Sequence, residues 1–597
     1  MKKYITLFIS FLIFSITITA QETKKIKINK TYSDFYIVKN QEKTFEFFLK
    51  ENTYYSIIVM QKGIDVELFL KDKNGKILLQ RDTPNGQFGP EKIVCSPETS
   101  GFYLLTVKPF LEEENSKKGD YTIFINEISK DLEKISYSKL IQDFEILKNA
   151  YIETNIGLWY NTFTQFDSIC NIQKSKITQN MNALDFYKIA APIVAFTKEG
   201  HSNINVSDNI NDYKKQNGKY FPFIVKIIDK KVYLLNDFDD FKTKGLVLTK
   251  INGNNIDTIL NKFLSIEPSD GYNITSKYDW IETEFSKYYL HLFEAEPKTF
   301  NIELINPTTN QVVIYESIPS LNYKKAVNHF QKLNNELPNI GFKEASAFVI
   351  DTLASTAILT INSFNTSDYK NGRNGFKDYL NKTFKTITEN KTQNLIIDIR
   401  KNEGGNQGME DYLLSHLIDK PYTKYSYVEI PSFTYSFLEY TDYKNESSII
   451  KQELEEDFYL NKDGRYLNKE GHYAGALPKP NNFKGKIFIL INGLTFSGGS
   501  EFAALAKNYT DAIFIGEETG GGYYGNTSGN FLKFTLPNSQ LTGRIPLCKF
   551  VVETKDFNIP FGRGVIPNYK VEQTYEEYIT GIDSQLEYTL NLISNGK

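Results

Sequence analysis

Short runs of alternating apolar and polar residues fill the chain from about Ile26 to Ile128, among them Tyr54–Met60, Val66–Leu70, Lys76–Leu79, Tyr103–Val107 and Tyr121–Ile125. A period of two puts the apolar side chains on one face of a strand, so the runs predict a small β-sandwich over 26–128. Lys73-Asn74-Gly75 and Pro84-Asn85-Gly86 read as its turns. After Ser129 the period becomes helical. Leu140, Phe144, Leu147 and Tyr151, then Phe186, Ile189, Ala190, Ile193 and Val194, recur at steps of three and four and predict an amphipathic helical cap over 129–212. Inside it lies the loop Lys198-Glu199-Gly200-His201-Ser202, after which Ile204 and Val206 begin a strand-like alternation.

Residues 213–320 are β-rich, and the run from Gly245 to Ile256 reads as a strand, an Asn252-Gly253 turn and the start of a helix. From 340 to 597 helical segments alternate with the apolar strands Ala357–Ile361, Asn394–Ile399, Lys486–Ile491 and Ala512–Ile515, which predicts an α/β core. The stretch from Gln452 to Pro480, charged and then Gly- and Tyr-rich, reads as a surface insertion. The most informative segment follows the strand at Ile491. Asn492-Gly-Leu-Thr-Phe-Ser497-Gly498-Gly499-Ser500 runs into a helix-forming stretch, which places a serine where free helix N–H groups favour a developing oxyanion. The residues alone leave a second reading open, in which Ser497 or Ser500 is an N-cap.

A chain of 597 residues exceeds what one core supports and calls for roughly three to four domains. Its net charge of −3 and pI near 6.1 provide no basic stripe, which argues against a nucleic-acid partner. Met1-Lys2-Lys3, an apolar run from Ile5 to Ile18 and Thr19-Ala20-Gln21 have the three regions of a secretory signal over 1–20. The apolar run is shorter than the roughly 20 residues a membrane span needs. Cleavage is therefore expected, giving an exported periplasmic or extracellular protein with no membrane anchor. Cys95, Cys170 and Cys548 are scattered, so neither a disulfide framework nor a cysteine metal site is expected.

Gly63-Ile-Asp65, Asp72-Lys-Asn-Gly75, Ser100-Gly-Phe-Tyr103 and Gly119-Asp-Tyr121 resemble the pre-peptidase C-terminal type of β-sandwich, an accessory module of secreted hydrolases. The Gly245–Ile256 run resembles the closing half of a PDZ domain, whose groove takes an extended peptide. Three segments, Asp398-Ile-Arg400-Lys-Asn402-Glu-Gly404-Gly405, the Ser497 turn, and Gly516-Glu-Glu-Thr-Gly-Gly-Gly522, resemble the tail-specific (C-terminal processing) serine protease family in its tricorn-core-like branch. The resemblance spans about 130 to 597. It implies a multidomain α/β protein with a ClpP/crotonase-like protease core, a PDZ-like domain, a helical cap and the N-terminal sandwich.

It also implies a site: Ser497 as nucleophile, Gly498 with Gly404 or Gly405 as oxyanion-hole N–H donors, and Asp398 and Arg400 as a brace for the glycine loop. Counting without a gap lands the family's lysine position on Gly522, and no lysine occurs between Lys507 and Lys533. The tricorn-like branch instead uses a histidine from a loop after the cap, which corresponds to Gly200-His201-Ser202. His291, His329, His416 and His472 lie in amphipathic runs or the insertion, so His201 is the expected general base, with an activity limb near pH 6 to 8. The branch's orienting Glu corresponds to Phe561. That role falls to another carboxylate, such as Glu553 or Glu517, or to a backbone carbonyl. The expected activity is endopeptidase cleavage of peptides or unfolded polypeptides with no cofactor and no metal. The alternative is an inactive peptide- or lipophile-binding protein on the same fold.

Overall fold

The computed structural model describes residues 23–83, 86–110, 118–129, 131–154, 159–293, 296–337, 344–353, 355–469 and 473–596. The expected signal segment, the Pro84-Asn85 pair of one expected turn, and His472 lie outside the described residues. The chain divides at 130/131 into two compact units. In the first, a five-stranded and a four-stranded sheet share one core of Phe45, Phe47, Ile57, Val59, Leu68, Leu105 and Ile123. Three of its strands, Lys30–Val38, Lys43–Leu49 and Phe88–Cys95, were not among the runs read from the pattern; charged residues punctuate them and dilute the alternation. No helix among the described residues is long and apolar enough to cross a membrane.

The second unit is centred on a six-stranded sheet in the order Ser346–Asp351, Thr356–Ile361, Asn394–Asp398, Lys486–Ile491, Ile513–Gly516, Tyr569–Lys570. Its first pair is antiparallel and the rest are parallel. Parallel neighbours need crossovers, and the helices Gly372–Glu389 and Gly498–Tyr509 supply two of them. Alternate residues of the central strands enter separate cores: Leu395, Ile397, Ile489 and Ile491 face the main one, while Ile396, Phe488 and Leu490 face a smaller one with Leu592 of the C-terminal helix Ser584–Ser594. Burial on both faces explains why these strands read as continuous apolar runs.

Two further blocks complete this unit. The helices Tyr137–Thr154, Phe163–Lys174 and Ala183–Phe196 precede the His201 loop, and the last is buried almost all round. Residues Val225–Pro319 form a second sheet, in which strand Val247–Ile251 passes through Asn252 and Gly253, both at positive φ, to helix Ile256–Leu264. The stretch read as a surface insertion is more integrated than its composition suggested. Strands Phe458–Leu460 and Tyr466–Asn468 continue a five-stranded sheet through Tyr425–Ile430 and Cys548–Val552 to Gly525–Ser528.

Candidate active site

Adjacent parallel strands Asn394–Asp398 and Lys486–Ile491 are in register, with Asp398 beside Leu490, so their following loops emerge together at the carboxyl end of the sheet. That is where α/β sheets present ligands. One loop carries Gly404 and Gly405; the other carries Ser497 into helix Gly498–Tyr509, whose Phe502 and Ala503 to Ala506 are fully buried. Ser497 has φ 49° and ψ −124°. This left-handed backbone costs about 1–3 kcal/mol for a non-glycine residue and turns the side chain out of the sheet-to-helix corner.

His201 meets it there: Nε2 lies 3.0 Å from Ser497 Oγ. Ser500 is fully buried and donates its hydroxyl to the Ser497 carbonyl at 2.8 Å, as a helix residue would. The His201 loop begins where Lys198, at φ 59°, breaks the preceding helix. Its support comes from afar. Asp270 accepts the N–H of Gly200 at 2.8 Å and the N–H of Gly522 at 3.3 Å, joining the histidine loop to the glycine run after the Ser497 helix. Strand Asn203–Asn205 pairs with Thr542–Ile545, and Arg544 Nε donates to the His201 carbonyl at 3.0 Å. Phe496 and Phe531 flank the imidazole at 4.8 and 6.2 Å between ring centres.

Burial, and after it the Arg544 charge, push the His201 pKa down to about 3. The activity limb expected near pH 6 to 8 is thereby moved to the acid side, since the imidazole is neutral through that range. With Nε2 accepting from Ser497, the ring proton sits on Nδ1. The Thr527 backbone favours the charged ring, yet no hydrogen bond of good geometry closes on Nδ1 among the described residues. Neither carboxylate considered for this role reaches it: Glu553 is bonded to the Ser426 hydroxyl, and Glu517 lies in the field of Lys226, Glu282 and Glu572. Burial also raises Asp270 to about 7 and, with Asp270 as the next cause, Glu199 to about 8.

The glycine loop requires one correction. Gly404 is not a free donor, because its N–H donates to Asn402 Oδ1 at 2.9 Å. Its role is close approach: at φ 97°, a Cβ there would lie 2.7 Å from both Ser497 Cβ and Gly498 N. Gly405 is different. The parallel bridge to Phe364 uses the Gly404 carbonyl and the Asn406 N–H, at 2.9 Å each, so it turns the N–H of Gly405, an exposed residue, the other way. A Cβ built on Gly498 would come 3.7 Å from that nitrogen, so the Gly405 and Gly498 N–H groups are neighbours. Asn402 ties the loop to Ile361 at 3.1 Å and to Phe496 at 3.0 Å, while Arg400 pairs with Asp398 at 2.6 Å and Asp583 at 2.7 Å.

Ser497, His201, Gly498 and Gly405 line a cleft of about 570 Å³ that contains no lysine among its lining residues. Behind its wall Lys424, buried, pairs with Glu410 and with Glu501 at 3.4 Å. His291 packs on Tyr187, His329 bonds the Pro222 carbonyl at 2.8 Å, and His416 stacks on Phe384 at 4.3 Å; none lines the cleft. The sequence reading passed over Asp270 and Arg544. Each is a single charged residue in an ordinary loop or strand, and only the fold brings it to His201.

Residues 355–571 match the family model described as Peptidase family S41. The chain's fold is similar to that of mature CPAF, at 16% identity and a TM-score of 0.50 over 77% of this chain and 98% of that one. Lower on the scale are the photosystem II D1 C-terminal processing protease, at 11% identity and a TM-score of 0.35 over 76% and 97% of the two chains, and the pre-peptidase C-terminal domain of a Bacillus anthracis collagenase, at 17% and 0.15 over 18% and 95%.

Proposed function

We propose that this chain is an exported serine endopeptidase that cleaves peptides or unfolded polypeptides through Ser497. The observation that carries the reading is the 3.0 Å approach of His201 Nε2 to Ser497 Oγ in an open cleft. Ser497 Oγ adds to the scissile carbonyl as His201 Nε2 takes its proton; the oxyanion forms against the N–H groups of Gly498 and Gly405. The imidazolium then returns the proton to the leaving amine, and water repeats the sequence on the acyl-enzyme. The signal-like segment at 1–20 supports export, and the strand-turn-helix at Val247–Leu264 supports a PDZ-like peptide module beside the core, with the N-terminal sandwich as an accessory.

One observation favours a silent binding protein: among the described residues no carboxylate holds Nδ1 of His201. Incubating the full chain with an unfolded protein separates the two. Fragments that appear with the wild type and not with Ser497→Ala support the peptidase; an intact substrate with both supports the binder.

A further inference from the structure

Arg400, Arg465 and Arg563 each face a carboxylate at hydrogen-bond distance, namely Asp398 with Asp583, Glu429 and Glu518. Arg544 does not. Its Nε is committed to the His201 carbonyl and its guanidinium carbon lies 4.9 Å from the Phe531 ring centre, which fixes the plane of the group. Among the described residues no carboxylate pairs with it, although it is half-buried and lines the catalytic cleft. Of the four acids on the same cleft, Glu410 and Glu501 pair with Lys424 and Glu267 with the Tyr288 hydroxyl, while Glu403, an exposed residue, forms no ion pair with Arg544. Loss of water without a counter-charge makes the cation less favourable, as its lowered pKa indicates.

We propose that Arg544 is a substrate-recognition residue that binds a carboxylate of the polypeptide close to the scissile bond. A guanidinium whose plane is fixed presents its remaining N–H groups as a fork, and a carboxylate is the group that accepts them in pairs. The carboxylate comes from a C-terminus or from an Asp or Glu side chain. Both present the same two oxygens. The proposal rests on the peptidase reading for the identity of the cleft, but its binding step does not require turnover.

The test uses full-length Ser497→Ala and fluorescence anisotropy with two matched pairs of labelled peptides. One pair differs only in a C-terminal acid or amide, the other only in an internal Glu or Gln. The acid member of one pair should bind about 10- to 100-fold tighter, and that pair identifies the source. The gap should close in Ser497→Ala/Arg544→Gln, survive in part in Ser497→Ala/Arg544→Lys, and reverse toward the amide or Gln member in Ser497→Ala/Arg544→Glu. In the active chain Arg544→Lys should raise KM for the acidic peptide more than it lowers kcat. Equal binding within both pairs, or a gap that persists in Arg544→Gln, overturns the proposal. A wild type that cleaves nothing yet shows the Arg544-dependent gap overturns the peptidase reading alone.

Discussion

The turn that carries Ser497 is assembled from one strand-turn-helix, residues 486–509, whereas the turn that carries His201 is held by Asp270, Gly522 and Arg544, which are distant in sequence. The first is stiff because a buried strand and a buried helix pin both its ends. The second lies between the buried helix Ala183–Phe196 and the short strand Asn203–Asn205, and its ties to the rest of the site are single polar contacts of Asp270 and Arg544. The proposed nucleophile and base thus meet at one hydrogen bond with unequal backing, so damage on the His201 side should be graded and damage on the Ser497 side abrupt.

The largest expected effect is at the contact itself. Ser497→Ala should lower turnover of an unfolded protein substrate by about 10⁴-fold or more with the fold retained, and His201→Gln should come close to it, with the double variant little worse, because the pair acts as a unit. Additive losses would break the pairing. Next is Gly404→Ala, whose Cβ would enter the space of Ser497 Cβ and Gly498 N at 2.7 Å. A loss of about 10²- to 10³-fold in kcat is expected, the scale of one oxyanion donor displaced. Wild-type kcat in a folded Gly404→Ala would show that the two loops do not need their close approach.

Asp270→Asn sharpens the comparison from the other side. The amide keeps one acceptor for the N–H groups of Gly200 and Gly522, so activity should fall by only about 10-fold, with a stability loss on the order of 1–3 kcal/mol in denaturant titration. A loss equal to that of His201→Gln would make Asp270 part of the chemistry.

The smallest effects are in pH. With His201 at about 3, kcat/KM should show no His201 limb between pH 5 and 7. Asp270 rises from 3.8 to about 7 and Glu199 from 4.5 to about 8 on folding, so the folded chain holds protons the unfolded one releases. The stability this contributes is full below about pH 4 and is lost as pH rises through 7 to 8. A melting temperature whose dependence between pH 6.5 and pH 8 is the same in the wild type, Asp270→Asn and Glu199→Gln would contradict it.

What was legible in the sequence follows the same division. Apolar runs such as Lys486–Ile491 mark a strand buried on both faces, and Ser497-Gly498-Gly499 marks the corner after it, because strand, turn and helix are contiguous. His201 was legible because it is one of only five histidines and sits beside a glycine. Its environment was not: the burial and the Arg544 charge that lower its pKa arise from chain segments that no local period connects. The choice between the Gly404 and Gly405 N–H groups stayed open for a similar reason, since a Gly-Gly pair signals close approach without telling which N–H is already taken by Asn402.

The central claim, that Ser497 is a nucleophile activated by His201, is tested most directly by a fluorophosphonate probe followed by peptide mapping. The account predicts one labelled residue, Ser497, with labelling abolished in Ser497→Ala and slowed at least 100-fold, by rough analogy with loss of a general base, in His201→Gln. Labelling at Ser500, or labelling of Ser497 at the same rate with and without His201, would contradict it.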